Sequence, residues 1–132
     1  REHCEREIWP RLEAGEWIVC DRFSDATYAY QGGGHGLDAA RIAEVERFAL
    51  GAFEPDMTLV FDIPVDVGRE RLGIAKGRVL DKFERQQEEF FERVRAAYLA
   101  RANADPQRCR IIDATRSLDE VRTQIAHVLE EL

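Results

Sequence analysis

The chain has 132 residues and a formal net charge of −7, from 26 acidic and 19 basic residues. This length fits one domain, and the acidic balance argues against DNA or RNA as the main partner. No apolar run reaches the roughly 18 residues of a membrane span, and no signal-peptide pattern opens the chain. The cysteines, Cys4, Cys20 and Cys109, are odd in number and far apart, so we expect reduced thiols in the cytoplasm rather than disulfides or a zinc site.

The first element in the sequence is a helix. Ile8, Trp9 and Leu12 give it one apolar face, and Gly15 is placed to cap its end. The chain opens at Arg1 inside this pattern, without an initiator methionine, and its one methionine is Met57. We therefore expect the chain to be part of a longer protein.

A buried strand is predicted next, over the run "WIVCDRF" at residues 17–23. It ends on an Asp-Arg pair, Asp21 and Arg22. The guanidinium of Arg22 could bind a phosphate through its planar fork. Asp21 could hold a magnesium ion or accept a proton.

A helical segment at residues 25–31 follows the Asp-Arg pair. Thr27 and Gln31 lie four residues apart on one face, where a hydroxyl and a carboxamide can recognise a flat polar ring. Gly32, Gly33 and Gly34 then supply a bend without side-chain bulk, since the P-loop Lys and Ser/Thr do not accompany them. The alternative is that the glycines form only a mobile turn.

Further helices and strands alternate along the rest of the chain. Asp38 is a plausible N-cap for a helix that extends to Ala49, and a long helix with several aromatic residues ends near Pro106. Ser117 forms a capping box with Glu120 before the last helix. Two more strands are predicted, "MTLVFDI" at residues 57–63 and "CRIIDA" at residues 109–114.

This alternation predicts an α/β domain with a parallel sheet and flanking helices. Each predicted strand ends at or near an Asp: Asp21, Asp62 and Asp113. Ligands bind beyond the carboxyl ends of such strands, so these acids should share one rim. For Asp62 and Asp113, the alternative is that each carboxylate caps the next helix.

Residues 69–85 concentrate positive charge in an acidic chain. Six cations lie there: Arg69, Arg71, Lys76, Arg78, Lys82 and Arg85. Such a cluster suits a transferring phosphoryl group, and Gly73 and Gly77 would let the segment close as a lid. The alternative is a solvated helix face with near-neighbour charge pairs.

Taken together, these residues resemble the thymidylate kinase (dTMP kinase) family of P-loop nucleoside monophosphate kinases. The resemblance runs from the first helix to "IIDA" and is most specific in "DRF" followed by "AYQGGGHGL". It implies a three-layer parallel α/β fold, of whose five strands three are predicted here. It also implies phosphoryl transfer from ATP, with Mg²⁺, to dTMP, giving dTDP and ADP, by a cytoplasmic homodimer.

The resemblance also implies roles for individual residues. Arg22 would bind the acceptor phosphate, Asp21 would lie near the magnesium, and Thr27, Tyr30 and Gln31 would contact the nucleoside. Three lid cations would stabilise the transferred phosphoryl group: Arg71, Lys76 and Lys82. Arg78 would bind ATP, and the loop after Ile112, around Asp113 and Ala114, would lie against its adenine. The family has Arg where this chain has His35, Lys76 and Lys82.

The P-loop of the family is expected upstream of Arg1, so residues 1–132 alone are expected to be inactive. The family's P-loop strand lies between the strands that end at Asp21 and Asp62, and unpaired buried backbone groups cost roughly 1 to 3 kcal/mol each. We therefore expect these residues alone not to keep the family fold. The alternative function is a non-catalytic α/β module that binds a nucleotide or associates with a partner through its strand edges.

Overall fold

The computed structural model of the chain describes residues 1–73 and 81–132. Most of it is helical, with two strands in the second half of the chain. In chain order the elements are π1 (Cys4–Ile8), α1 (Trp9–Glu13), α2 (Ser24–Thr27), π2 (Tyr28–Gly34), α3 (Ala39–Leu50), β1 (Thr58–Asp62), α4 (Val65–Arg71), α5 (Lys82–Ala104), β2 (Cys109–Asp113) and α6 (Leu118–Leu129). Here π denotes a helical turn with hydrogen bonds five residues apart.

The two strands pair in parallel, with Thr58 opposite Cys109 and Asp62 opposite Asp113. This confirms the predicted α/β class and two of the predicted strands. Because parallel strands need a long crossover, α4 and α5 lie between them in the sequence. The register places Asp62 and Asp113 together at the carboxyl edge of the sheet.

The predicted strand at residues 17–23 is not formed. Residues 16–20 have no regular secondary structure, and Trp17 and Val19 are 81% and 99% exposed. Their β-branched and aromatic character favours an extended backbone, but a strand also needs a neighbour for its backbone hydrogen bonds. Within residues 1–73 and 81–132, β1 and β2 pair only with each other.

Helix boundaries follow the predicted caps. The Asp38 carboxylate accepts a hydrogen bond from the Ala40 amide at 2.7 Å, and Ser117 and Glu120 form the predicted capping box. Gly15, with φ 80°, follows α1. Asp81 and Glu84 form a further capping box at the start of α5, which the sequence analysis did not identify.

Helix α5 organises the interior. It packs against π2 and against both strands. Val60, Ala102 and Cys109 form a buried cluster, with Tyr98 packed against it. In the described part of the chain, no helix combines the length and apolar composition of a bilayer span.

Candidate nucleotide site

Arg22 has an unusual backbone conformation. Its φ of 67° lies in the left-handed region, and the Cys20 thiol donates to its carbonyl oxygen at 3.4 Å. A non-glycine residue in this region carries strain of roughly 1 to 3 kcal/mol, and such residues cluster at functional sites. This conformation turns the chain from the exposed segment before Asp21 into α2.

The side chain of Arg22 lies over the ring of Tyr30. Its guanidinium carbon is 4.9 Å from the ring centroid, within cation–π range. Tyr30 also packs against α5, since the centroid of its ring lies 6.2 Å from that of Phe90 and 6.3 Å from that of Tyr98. The structure therefore brings together two residues that the sequence analysis assigned to one substrate.

Thr27 and Gln31 are both exposed, on the turn between Arg22 and the glycines. Thr27 ends α2, and Gln31 lies in π2, where the His35 amide donates to the Tyr30 carbonyl, five residues back, at 3.0 Å. Turns of this wide type are frequent at functional sites. Both side chains therefore lie at the surface of this turn.

The glycine run does more than bend the chain. A Cβ on Gly33 would lie 2.5 Å from the Ala97 Cβ and 2.8 Å from the Arg93 carbonyl oxygen, and one on Gly34 would lie 2.4 Å from the Phe90 ring. Both glycines are therefore required by close contact between π2 and α5, not by a mobile turn. Arg93 adds a hydrogen bond to the Gly34 carbonyl at 3.1 Å.

Asp25 is a residue that the sequence analysis missed. It is 4% exposed, and its carboxylate is bound by Arg101, Arg108 and Thr58. Burial raises the pKa of Asp25, but hydrogen bonds from Arg108 and Arg101 outweigh this and bring it to about 2. No local pattern signals this group, because two of its partners lie 76 and 83 residues away in sequence.

The two rim acids on the strands are engaged within the protein. Asp62 makes a two-point ion pair with Arg95, at 2.7 and 3.0 Å. The carboxylate of Asp113 accepts from the Thr115 amide at 2.9 Å and from Arg116 at 2.9 Å, and the Thr115 hydrogen bonds hold its pKa below the ordinary value. Neither acid caps the next helix, which was the alternative: Pro64 precedes α4 without a side-chain cap, and Ser117 caps α6. Asp113 instead holds the turn at Thr115. Asp21, by contrast, is exposed.

The described basic residues of the predicted lid lie at the end of α4 and at the start of α5. Arg71 donates to the Thr115 carbonyl oxygen at 3.2 Å, which joins the end of α4 to the turn that follows Asp113 at the end of β2. Lys82 is exposed in the first turn of α5. The predicted lid positions Lys76 and Arg78 lie outside the described residues. Arg69 on α4 pairs with Glu88 on α5 at 3.3 Å, and both side chains are partly buried, so this ion pair joins the two helices rather than lying on a solvated face.

The model of the thymidylate kinase family matches residues 1–125 of the chain. The chain is 52% identical over 131 residues to the thymidylate kinase of Bordetella petrii, and 48% identical to that of Alcanivorax borkumensis. These matches cover 99% of this chain but 62% of each relative, so the chain spans less than two thirds of the curated relatives' length.

The backbone of the chain is also similar to that of a solved structure. The crystal structure of thymidylate kinase from Ehrlichia chaffeensis superposes with a TM-score of 0.72 at 27% identity. The superposition covers 98% of this chain and 57% of that one. Sequence and backbone geometry thus point to the same group of proteins.

Proposed function

The chain belongs to the thymidylate kinase family, and from this premise we propose that its protein transfers the terminal phosphoryl group of ATP to dTMP, giving dTDP and ADP. The observation that carries the proposal is the contact of Arg22 with Tyr30 beside exposed Thr27 and Gln31. A cation, an aromatic ring and two polar groups on one turn suit the phosphate, sugar and base of a nucleotide.

In this proposal the residues of the site bind different parts of the substrate. Arg22 binds the 5′-phosphate of dTMP, because its guanidinium can donate two parallel hydrogen bonds to phosphate oxygens. Thr27 and Gln31 recognise the thymine by hydrogen bonding, and Tyr30 lies beside the nucleoside. Tyr30 also holds the guanidinium near the turn before substrate arrives, which reduces the ordering cost of binding.

Phosphoryl transfer in this family uses a divalent metal with ATP, and we propose Mg²⁺. Among residues 1–73 and 81–132, no group of three His, Cys, Asp or Glu side chains could hold a metal ion. Mg²⁺ in such enzymes needs only one or two carboxylates together with substrate phosphates and water. The exposed carboxylate of Asp21 fits that requirement, and the ion would neutralise charge on the phosphates.

We propose that the basic residues serve the transferred group. Arg71, Lys76 and Lys82 would offset the charge that spreads over the phosphoryl oxygens, and Arg78 would bind ATP in the same lid, about residues 69–85. The loop at Asp113 and Ala114 would lie against adenine through its backbone. The bond from Arg71 to Thr115 supports a link between these two groups.

We also propose a cytoplasmic homodimer. Cys4, Cys20 and Cys109 are free, as expected in a reducing compartment. On α3, Val45 and Phe48 are three residues apart and 67% and 86% exposed, so they form an apolar surface on this helix. Large exposed apolar side chains on neighbouring turns are typical of protein interfaces.

The test is a coupled assay of ADP release by the protein at its full natural length, with ATP, Mg²⁺ and each of dTMP, dCMP and dGMP. We expect turnover with dTMP, and a value of kcat/KM lower by about a hundredfold or more for the other monophosphates, since their polar edges would leave Thr27 and Gln31 unpaired. Thymidylate binding without ADP release would favour the non-catalytic module instead.

A further inference from the structure

Each oxygen of the Asp25 carboxylate accepts hydrogen bonds from two donors. Oδ1 accepts from Arg101 Nε at 2.7 Å and from Arg108 Nη2 at 3.0 Å. Oδ2 accepts from Arg108 Nη1 at 2.8 Å and from the Thr58 hydroxyl at 3.1 Å. These partners lie on α5, on the loop before β2 and at the start of β1, so one buried group joins α2 to all three.

A buried ion pair of this kind contributes little net stability compared with apolar residues of the same volume. Its effect is to select one arrangement, because an arginine or a carboxylate moved out of register would be left buried without a partner. The geometry at Asp25 is demanding, since both oxygens must meet donors on separate elements. The group therefore restricts where α2 can lie relative to α5 and β1.

Arg101, which binds Asp25, also contacts Tyr28, one helical turn further along the chain. The guanidinium of Arg101 also stacks on the ring of Tyr28, with its central carbon 3.7 Å from the ring centroid. The Tyr28 hydroxyl donates to Glu46 on α3 at 2.6 Å. Asp25 and Tyr28 thus hold the segment on both sides of Thr27.

The C-terminal end of the segment at residues 24–34 is held by packing against α5. Gly33 and Gly34 touch α5 so closely that no Cβ fits, and Arg93 binds the Gly34 carbonyl. Between these two attachments lie Thr27, Tyr30 and Gln31. The turn is fixed at both ends, while Thr27 and Gln31 remain exposed.

We infer that Asp25 is a positioning residue for the thymidylate site, which through Arg101, Arg108 and Thr58 fixes the turn that presents Thr27 and Gln31. The same turn carries Tyr30, the ring on which Arg22 lies. The inference rests on the proposed function. Asp25 itself does not touch the substrate, because it is buried beneath the turn. It acts on the geometry of the groups that do.

The test compares three variants of the protein at its full natural length. Asp25→Asn removes the charge while keeping the shape. Thr58→Val removes one hydrogen bond to the carboxylate. It replaces Asp25→Asn as the test variant if Asp25→Asn does not fold. Val60→Ala is the control, because it lowers stability from the same strand without altering the network.

Two readouts separate positioning from stability. In steady-state kinetics, Asp25→Asn should raise the KM for dTMP by about tenfold or more and leave the KM for ATP within about twofold, with a smaller change of the same kind for Thr58→Val. In hydrogen exchange, amides of residues 24–34 should lose protection while those of β2 keep theirs. Val60→Ala should show neither selective effect.

The inference is overturned if Asp25→Asn and Thr58→Val change both KM values equally, or only lower the melting temperature as Val60→Ala does. Failure of the proposed function gives a different result: the unsubstituted protein would not phosphorylate dTMP. In that case hydrogen exchange still decides whether Asp25 fixes the turn, and unchanged protection at residues 24–34 would refute it.

Discussion

At the residue scale, the proposed chemistry depends most on the guanidinium of Arg22. Arg22→Lys keeps the charge but loses the planar fork and the stacking on Tyr30. We expect the KM for dTMP to rise by about ten- to a hundredfold, with the KM for ATP little changed. Steady-state kinetics would measure this, with Arg122→Lys on exposed α6 as the control. Equal increases for both substrates would contradict the assignment.

Gln31 provides the test of base recognition. Gln31→Leu keeps approximately the same size but cannot hydrogen-bond to thymine, so we expect weaker dTMP binding by roughly 1 to 3 kcal/mol with ATP binding unaffected. Calorimetric titration of each nucleotide would show the difference. Gln87→Leu, at an exposed position of α5, is the matched control. Equal loss for dTMP and ATP would remove Gln31 from the base site.

Asp25 predicts an acid dependence of stability. Its pKa falls from 3.8 to about 2 in the folded protein, so it stabilises the fold at pH above about 4 and loses that contribution as pH falls towards 2. The difference corresponds to about 2 kcal/mol. Denaturant unfolding at several pH values would measure it. Asp25→Asn should lower stability near neutral pH and flatten this part of the profile, and an unchanged slope would be inconsistent with the ion pair.

The residue scale also shows how far sequence reasoning reaches. The Asp-Arg pair and the spacing of Thr27 and Gln31 could be identified because they are local patterns. The environment of Asp25 could not, since Arg101 and Arg108 come near it only after α5 has packed on π2. The same holds for Asp62, whose partner Arg95 lies on α5.

At the scale of elements, the contact between π2 and α5 leads to a glycine prediction. Gly33→Ala must move the Arg93 carbonyl or Ala97, so we expect a loss of about 1 to 3 kcal/mol in unfolding free energy. Gly68→Ala is the control: Gly68 lies in helix α4, and an added Cβ would approach only Ile63, at 4.0 Å, so the change should be neutral or stabilising. Thermal unfolding of both variants would test this, and equal stability would refute the close contact.

Elements whose signals are local were predicted well. The caps at Asp38 and Ser117 follow from patterns contained within a few residues. Strands β1 and β2 were also predicted, and they form because each pairs with the other. The strand expected at residues 17–23 failed because pairing is a property of two segments, and composition describes one. The wide helical turn π2 also escaped prediction, since its sequence pattern does not differ from that of an ordinary helix.

At the scale of the whole molecule, exposed apolar surface predicts association. Replacing Phe48 by Glu places a charge in the surface formed with Val45 on α3. If this surface is the dimer interface, the variant should sediment as a monomer where the unsubstituted protein sediments as a dimer. Glu44→Gln on the same helix is the control. Dimers of unchanged stability in the Phe48 variant would exclude α3 from the interface.

Apolar exposure in the segment before Asp21 bears on stability. Trp17 and Val19 are almost fully exposed, and within the described residues β1 pairs with β2 alone. Since domains are stable by only about 5 to 15 kcal/mol, residues 1–132 expressed alone are expected to unfold without a sharp transition. A far-ultraviolet circular dichroism melt measures this, and a cooperative transition of a monomer would contradict the expectation.

The central claim is that Arg22 and the turn after it form the thymidylate site. The most direct test is a crystal structure of the protein at its full natural length with dTMP. We expect the Arg22 guanidinium to contact the 5′-phosphate, with Thr27 and Gln31 within hydrogen-bonding distance of the thymine, at roughly 2.7 to 3.2 Å. Thymidylate bound elsewhere, with Arg22 still over Tyr30 and away from the ligand, would contradict the account.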